Sequence, residues 1–247
     1  MKTESPPSNI QRKFDFSTPK PRPFLANLPA KIEIYEDGIA EFFRRQTGLD
    51  YYLTIDRIVD FVVDTGGRKV LDLLADTAVF ALNLAGRKAF QGHIYSFDTN
   101  ITLLERAKQR AIQLNLQSTI DFWEFREPKI PVPDEYGDVA VSIFDFHRHP
   151  AEQYLKEIKR VLVPNGYMIL AEMIKPKSSK TGWNSILKKL HLQHIKKNDA
   201  EAAAVYYDRE EIISLLFQAG FRQVIIQGLN VPANAHSGVF SLITAIK

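Results

Sequence analysis

The run Phe146-His147-Arg148-His149-Pro150, with Asp145 just before it, holds the clearest acid–base chemistry of the chain. An imidazole titrates near neutral pH, so His147 suits a general base that removes a proton from a substrate hydroxyl or carbon acid. Asp145 is the second acid or base candidate, and packing against the start of the next helix is the other reading of His147. A metal centre built from His147, His149, His191 and His194 is not expected, because no set of carboxylates with ligand spacing completes it. Two further carboxylates, Asp72 and Asp98, each lie in or at the end of an apolar run. Asp98 is placed to accept both hydroxyls of a ribose, or to cap the helix that begins near Asn100.

These residues need elements to position them, and after Gly66-Gly67 the pattern alternates between short β-rich runs and amphipathic ones. Strands are expected at 70–74, 94–97, 120–125, 139–146 and 167–171, and helices at 79–90, 101–114 and 151–162. Such alternation implies a mostly parallel sheet covered on both faces. Asp208 and Glu211 open a further helix as a capping box and Gly220 closes it. Runs at 221–228 and 239–246 then follow with no helix between them, which makes them antiparallel neighbours. Ahead of the sheet, helical spacing in Tyr35, Ile39, Phe42, Phe43 and Gln46, and again in Tyr52, Ile55, Ile58, Val59 and Val62, predicts a helical cap over 30–66. Residues 1–29 hold Pro6, Pro7, Pro19, Pro21, Pro23 and Pro29 without apolar periodicity and read as a disordered or draped tail.

At 247 residues the chain has room for one sizeable α/β domain with additions. No stretch approaches a membrane span or the apolar core of a signal peptide, so a cytoplasmic protein is expected. The absence of cysteine excludes disulfides, thiolate metal sites and a cysteine nucleophile. A net charge of +3 conceals an asymmetry, since 173–198 contains Lys175, Lys177, Lys180, Lys188, Lys189, Lys196 and Lys197 with no acidic residue.

The order of these elements, with Val70-Leu71-Asp72-Leu73, Phe97-Asp98-Thr99-Asn100, Arg160-Val161-Leu162-Val163-Pro164-Asn165-Gly166 and Leu215-Leu216-Phe217-Gln218-Ala219-Gly220-Phe221, resembles the class I S-adenosylmethionine (SAM)-dependent methyltransferases of the type-11, quinone-biosynthesis kind. The resemblance covers roughly residues 50–247. It implies a three-layer Rossmann-like domain over 67–247, with a mostly parallel seven-stranded sheet and an antiparallel carboxy-terminal hairpin. It also implies SAM as cofactor, held around Asp72, Leu74, Asp76, Thr77, Asp98, Thr99 and Arg126.

The residue types at these positions depart from the family. Its glycine loop is replaced by Leu74-Ala75-Asp76-Thr77-Ala78, and Arg126 stands where the family has a carboxylate that accepts from the adenine amino group. Guanidinium only donates. Asp76 would face the methionyl carboxylate, and like charges ~4 Å apart at an effective dielectric near 20 repel by roughly 4 kcal/mol. Weakened or lost SAM binding is therefore expected. Two functions stand: a methyltransferase-like protein acting on a small-molecule acceptor, or an inactive pseudo-methyltransferase serving as a protein- or ligand-binding module.

The basic insert 173–204 carries Trp183, Ile186, Leu187, Leu190 and His194 on one helical face with lysines such as Lys188 on the flanks. A lid over an anionic substrate is expected there, with a membrane-surface helix, a protein contact or an ordinary packed helix as the other readings. Specific nucleic-acid binding is not expected, because no nucleic-acid module accompanies the lysines.

Overall fold

A computed structural model describes residues 38–41, 43–45, 48–125, 129–175, 205–228 and 240–247. Residues 38–41 and 43–45 are helical, and α1 (Tyr51–Thr65) follows. Asp50 caps α1 by accepting the Leu53 N–H at 2.9 Å, and Gly66 ends it in the left-handed conformation at φ 72°. Thr54, Ile55, Ile58, Val59 and Val62 form its buried face.

Then come β1 (Lys69–Leu73), α2 (Val79–Ala85), β2 (His93–Asp98), α3 (Ile101–Gln113), β3 (Ile120–Glu124) and β4 (Gly137–Ile143). A 3₁₀ turn (Phe146–Arg148), α4 (Ala151–Val161), β5 (Leu162–Met173), α5 (Arg209–Gln218), β6 (Arg222–Gly228) and β7 (Phe240–Ile246) complete the order. The seven strands lie in the order β3-β2-β1-β4-β5-β7-β6. β1 to β5 are parallel, and β7 runs antiparallel to both β5 and β6, as the helix-free carboxy terminus predicts. The capping box of α5 is present: Glu211 N–H donates to Asp208 Oδ1 at 2.9 Å, and Asp208 N–H to Glu211 Oε2 at 2.7 Å.

Side chains alternate across the sheet, so each strand feeds two cores. Val70, Val139 and Ile169 pack with Ile58, Val62 and Leu82 on one face. Leu71, Leu73, Ala140 and Leu170 pack with Tyr154, Leu155 and Ile158 on the other. Both cores close beneath the carboxyl edge of β1, β2 and β4, where the site residues collect. No helix among the described residues is long and apolar enough to cross a membrane.

Candidate functional site

The loop from β1 to α2 contains no glycine and turns left-handed three times. Leu74, Asp76 and Ala78 have φ of 60°, 50° and 57°. Left-handed conformations cost a residue with a Cβ roughly 1–2 kcal/mol each, so the loop must be held by its surroundings. Three successive residues show how. Ala75 N–H donates to the Phe97 carbonyl at 2.9 Å, Asp76 N–H to Asp98 Oδ2 at 2.8 Å, and the Thr77 carbonyl accepts from the buried Arg110 Nη1 at 2.9 Å.

Asp98, only 7% exposed, closes β2 and has both carboxylate oxygens engaged, since Oδ1 accepts the Asn100 N–H at 2.7 Å. The N-cap of α3 is Asn100, whose side chain accepts from Thr102 and Leu103. Burial raises the Asp98 pKa, the Asn100 and Asp76 N–H groups lower it, and the charge of Asp145 raises it further. Asp72 is buried within β1 and accepts from Ser96 Oγ at 2.9 Å. Burial pushes its carboxyl up to about 7; the Ser96 bond opposes this, and the charge of Asp98 adds to it. Thr77 is buried and Thr99 is exposed.

Leu74, Asp76 and Ala78 each carry a Cβ at a left-handed position of this loop, Asp76 adds a carboxylate, and each Asp98 side-chain oxygen accepts one of the chain's own N–H groups. Arg126, Trp183, Lys188 and His194 lie outside the described residues.

Beyond β4 the edge is built differently. Asp145 is gripped by its neighbours, with Arg148 Nη1 2.7 Å from Oδ1 and His149 Nε2 3.1 Å from Oδ2. His147 Nδ1 lies 3.1 Å from Oε1 of Glu172, and the His147 backbone N–H donates to Oε2 at 3.2 Å. Glu172 is 3% exposed and also accepts the Met173 N–H at 2.6 Å. Tyr206 stacks on the His147 ring at 4.7 Å and 14°, while Val205 N–H donates to the His147 carbonyl at 2.8 Å. In the tautomer that donates from Nδ1 to Glu172, Nε2 is the acceptor. Sequence reasoning missed Glu172. Its signal was a lone acidic residue closing the apolar run Tyr167-Met168-Ile169-Leu170-Ala171 at the carboxyl edge. No group of three or more potential metal ligands occurs among the described residues.

A family model described as "Methyltransferase domain" matches residues 71–170. The demethylmenaquinone methyltransferase of Lactobacillus johnsonii is 30% identical over 185 residues, covering 70% of this chain and 76% of that protein. A ubiquinone/menaquinone biosynthesis C-methyltransferase of Pseudomonas fluorescens is 24% identical over 199 residues, with 73% of each chain covered. Among solved structures, a SAM-dependent methyltransferase from Aquifex aeolicus aligns with TM-score 0.56 and 20% identity over 89% of this chain and 98% of that one. The [4+2]-cyclase SpnF aligns with TM-score 0.60 and 19% identity over 78% and 81%.

Proposed function

The chain belongs to the class I SAM-dependent methyltransferase family, of the type-11, quinone-biosynthesis kind, and on that basis we propose that it is a methyltransferase-like protein acting on a small-molecule acceptor with its SAM binding weakened or lost. The observation that carries this reading is the left-handed trio Leu74, Asp76 and Ala78, which puts side chains where the family's loop has glycines. Repulsion of roughly 4 kcal/mol between Asp76 and a methionyl carboxylate corresponds to about a thousandfold in affinity.

On the acceptor side, Glu172 sets the tautomer of His147, Tyr206 fixes the plane of its ring, and Nε2 takes a proton from an acceptor hydroxyl or carbon acid. The relatives named for quinone biosynthesis make a flat, apolar-tailed ring the acceptor class of choice. The basic insert 173–204 is the proposed lid, with a membrane surface or protein partner as the other use of its lysines. The described residues at either end of it meet at this edge, where Lys175 N–H donates to the Tyr207 carbonyl at 2.8 Å.

The second reading, a pseudo-methyltransferase that binds a protein or another ligand, is favoured by the engagement of Asp98 with its own backbone. Fold does not choose between the two, because function resides in the site. Calorimetric titration with SAM and S-adenosylhomocysteine tests the cofactor claim. A dissociation constant weaker than ~100 μM is expected, and low-micromolar binding refutes it. Asp76→Gly combined with Arg126→Asp is expected to restore affinity.

A further inference from the structure

Asp98 joins three segments at once. Its side chain accepts from the β1–α2 loop through the Asp76 N–H and from the start of α3 through the Asn100 N–H. Its carbonyl accepts the Phe125 N–H at 3.2 Å, where the chain leaves β3. We infer that Asp98 is a latch that holds the β1–α2 loop against β2, so that this chain's own backbone, and not a ribose, is the resident partner of its carboxylate.

The strain in the loop requires such a latch. A backbone that visits the left-handed region at Leu74, Asp76 and Ala78 persists only where its surroundings over-determine it. Ala75 and Thr77 are tied by groups that remain whatever ligand is present, the Phe97 carbonyl and the Arg110 guanidinium. Asp76 lies between them, and Asp98 is the side chain that holds its N–H. A diol approaching this carboxylate meets an almost fully buried group with a backbone N–H already on each oxygen. Each oxygen keeps a second lone pair, but to reach it the diol must open this buried site, and opening it pulls on the Asp76 N–H bond and loosens the strained loop. Loop and ligand thus compete for one carboxylate, which closes the cleft from within.

This inference rests on the reading that SAM binding is weakened, and the experiment separates the two. Amide exchange of the full chain without ligand is followed by NMR in the wild type, Asp98→Asn and Asp98→Ala. The latch predicts slow exchange at Asp76 and Asn100 in the wild type. It predicts exchange at least about tenfold faster at one of the two in Asp98→Asn, whose side chain keeps a single acceptor oxygen, and at both in Asp98→Ala, with the amides of β4 and β5 unchanged. Rapid exchange of the Asp76 amide in the wild type overturns the latch without any variant, which covers the case in which Asp98→Ala fails to fold. Unchanged rates in Asp98→Asn overturn it as well. Millimolar SAM is then added to the wild type. Saturable binding that disappears in Asp98→Asn yet leaves the Asp76 amide protected shows that ribose and loop share the carboxylate without competing, and overturns the latch, whereas weak binding that releases the Asp76 amide supports it. Tight binding that leaves the Asp76 amide protected and survives in Asp98→Asn refutes weakened SAM binding and leaves the latch standing.

Discussion

Asp72 shows how burial changes what one side chain does. Its type and place in the strand were legible in the sequence, but its pairing with Ser96 depends on strand register, which one sequence does not display. Its pKa is raised from 3.8 to about 7, chiefly by burial, so the folded state holds a proton that the unfolded chain releases above pH ~4. Stability from this group is fully present below the unfolded pKa and is lost as pH rises through about 7. The ionised form disfavours the fold by up to about 4 kcal/mol. Asp72→Asn is therefore expected to flatten the fall in stability between pH 5 and pH 8, and to leave the variant more stable than wild type at pH 8. Urea denaturation at the two pH values reads this directly, and parallel slopes for both proteins count against it. The missing glycines at 74, 76 and 78 were also legible. That the backbone turns left-handed there without them was not, because residue types alone do not reveal the bonds to Phe97, Asp98 and Arg110 that hold it.

Elements were read well where periodicity is long and poorly where the chain turns at the carboxyl edge. The order of strands and helices, the antiparallel ending and the capping box at Asp208 all follow from pattern and cap chemistry. The helix expected over 79–90 stops at Ala85, because Gly86 follows and the next amides bond at turn spacing, Arg87 N–H to the Leu84 carbonyl and Phe90 N–H to that of Arg87. The strand expected over 139–146 ends at Ile143, because Phe144 turns left-handed at φ 57° and Phe146–Arg148 forms a 3₁₀ turn. β5 begins at Leu162 instead of Tyr167, since the chain pairs with Gly137 as soon as α4 ends. The Phe144 turn places its ring 5.3 Å from both Phe43 and Phe240, so an aromatic cluster ties the amino-terminal helical residues to β4 and β7. Truncating a buried phenylalanine costs about 3–5 kcal/mol. Phe43→Ala is expected to fall in that range by chemical denaturation, and to speed amide exchange at 43–45 more than in β1. A loss under ~1 kcal/mol would mean that the helix is not anchored through this ring.

At the scale of the whole molecule, charge is segregated. The net charge is +3, yet 173–198 carries only lysine among its charged residues, so the remainder offsets most of it. The β5 end at Met173 and the return at Val205 and Tyr207 place the limits of this insert beside His147. Charges at a protein surface act mainly on association rate and are screened beyond ~8 Å at physiological salt. An anionic lipid surface or acidic partner engaged through them is expected to lose affinity steeply as salt rises, whereas an acceptor held by apolar contact and by His147 is not. Replacing Lys188, Lys189, Lys196 and Lys197 together by Gln is expected to abolish the salt slope in liposome or pull-down assays. Melting should hardly change, because solvated surface substitutions usually cost under ~0.5 kcal/mol each. Binding that persists unaltered would remove the insert as the contact surface. Unfolding of the variant would show instead that the lysine stems support the fold by packing on apolar surface.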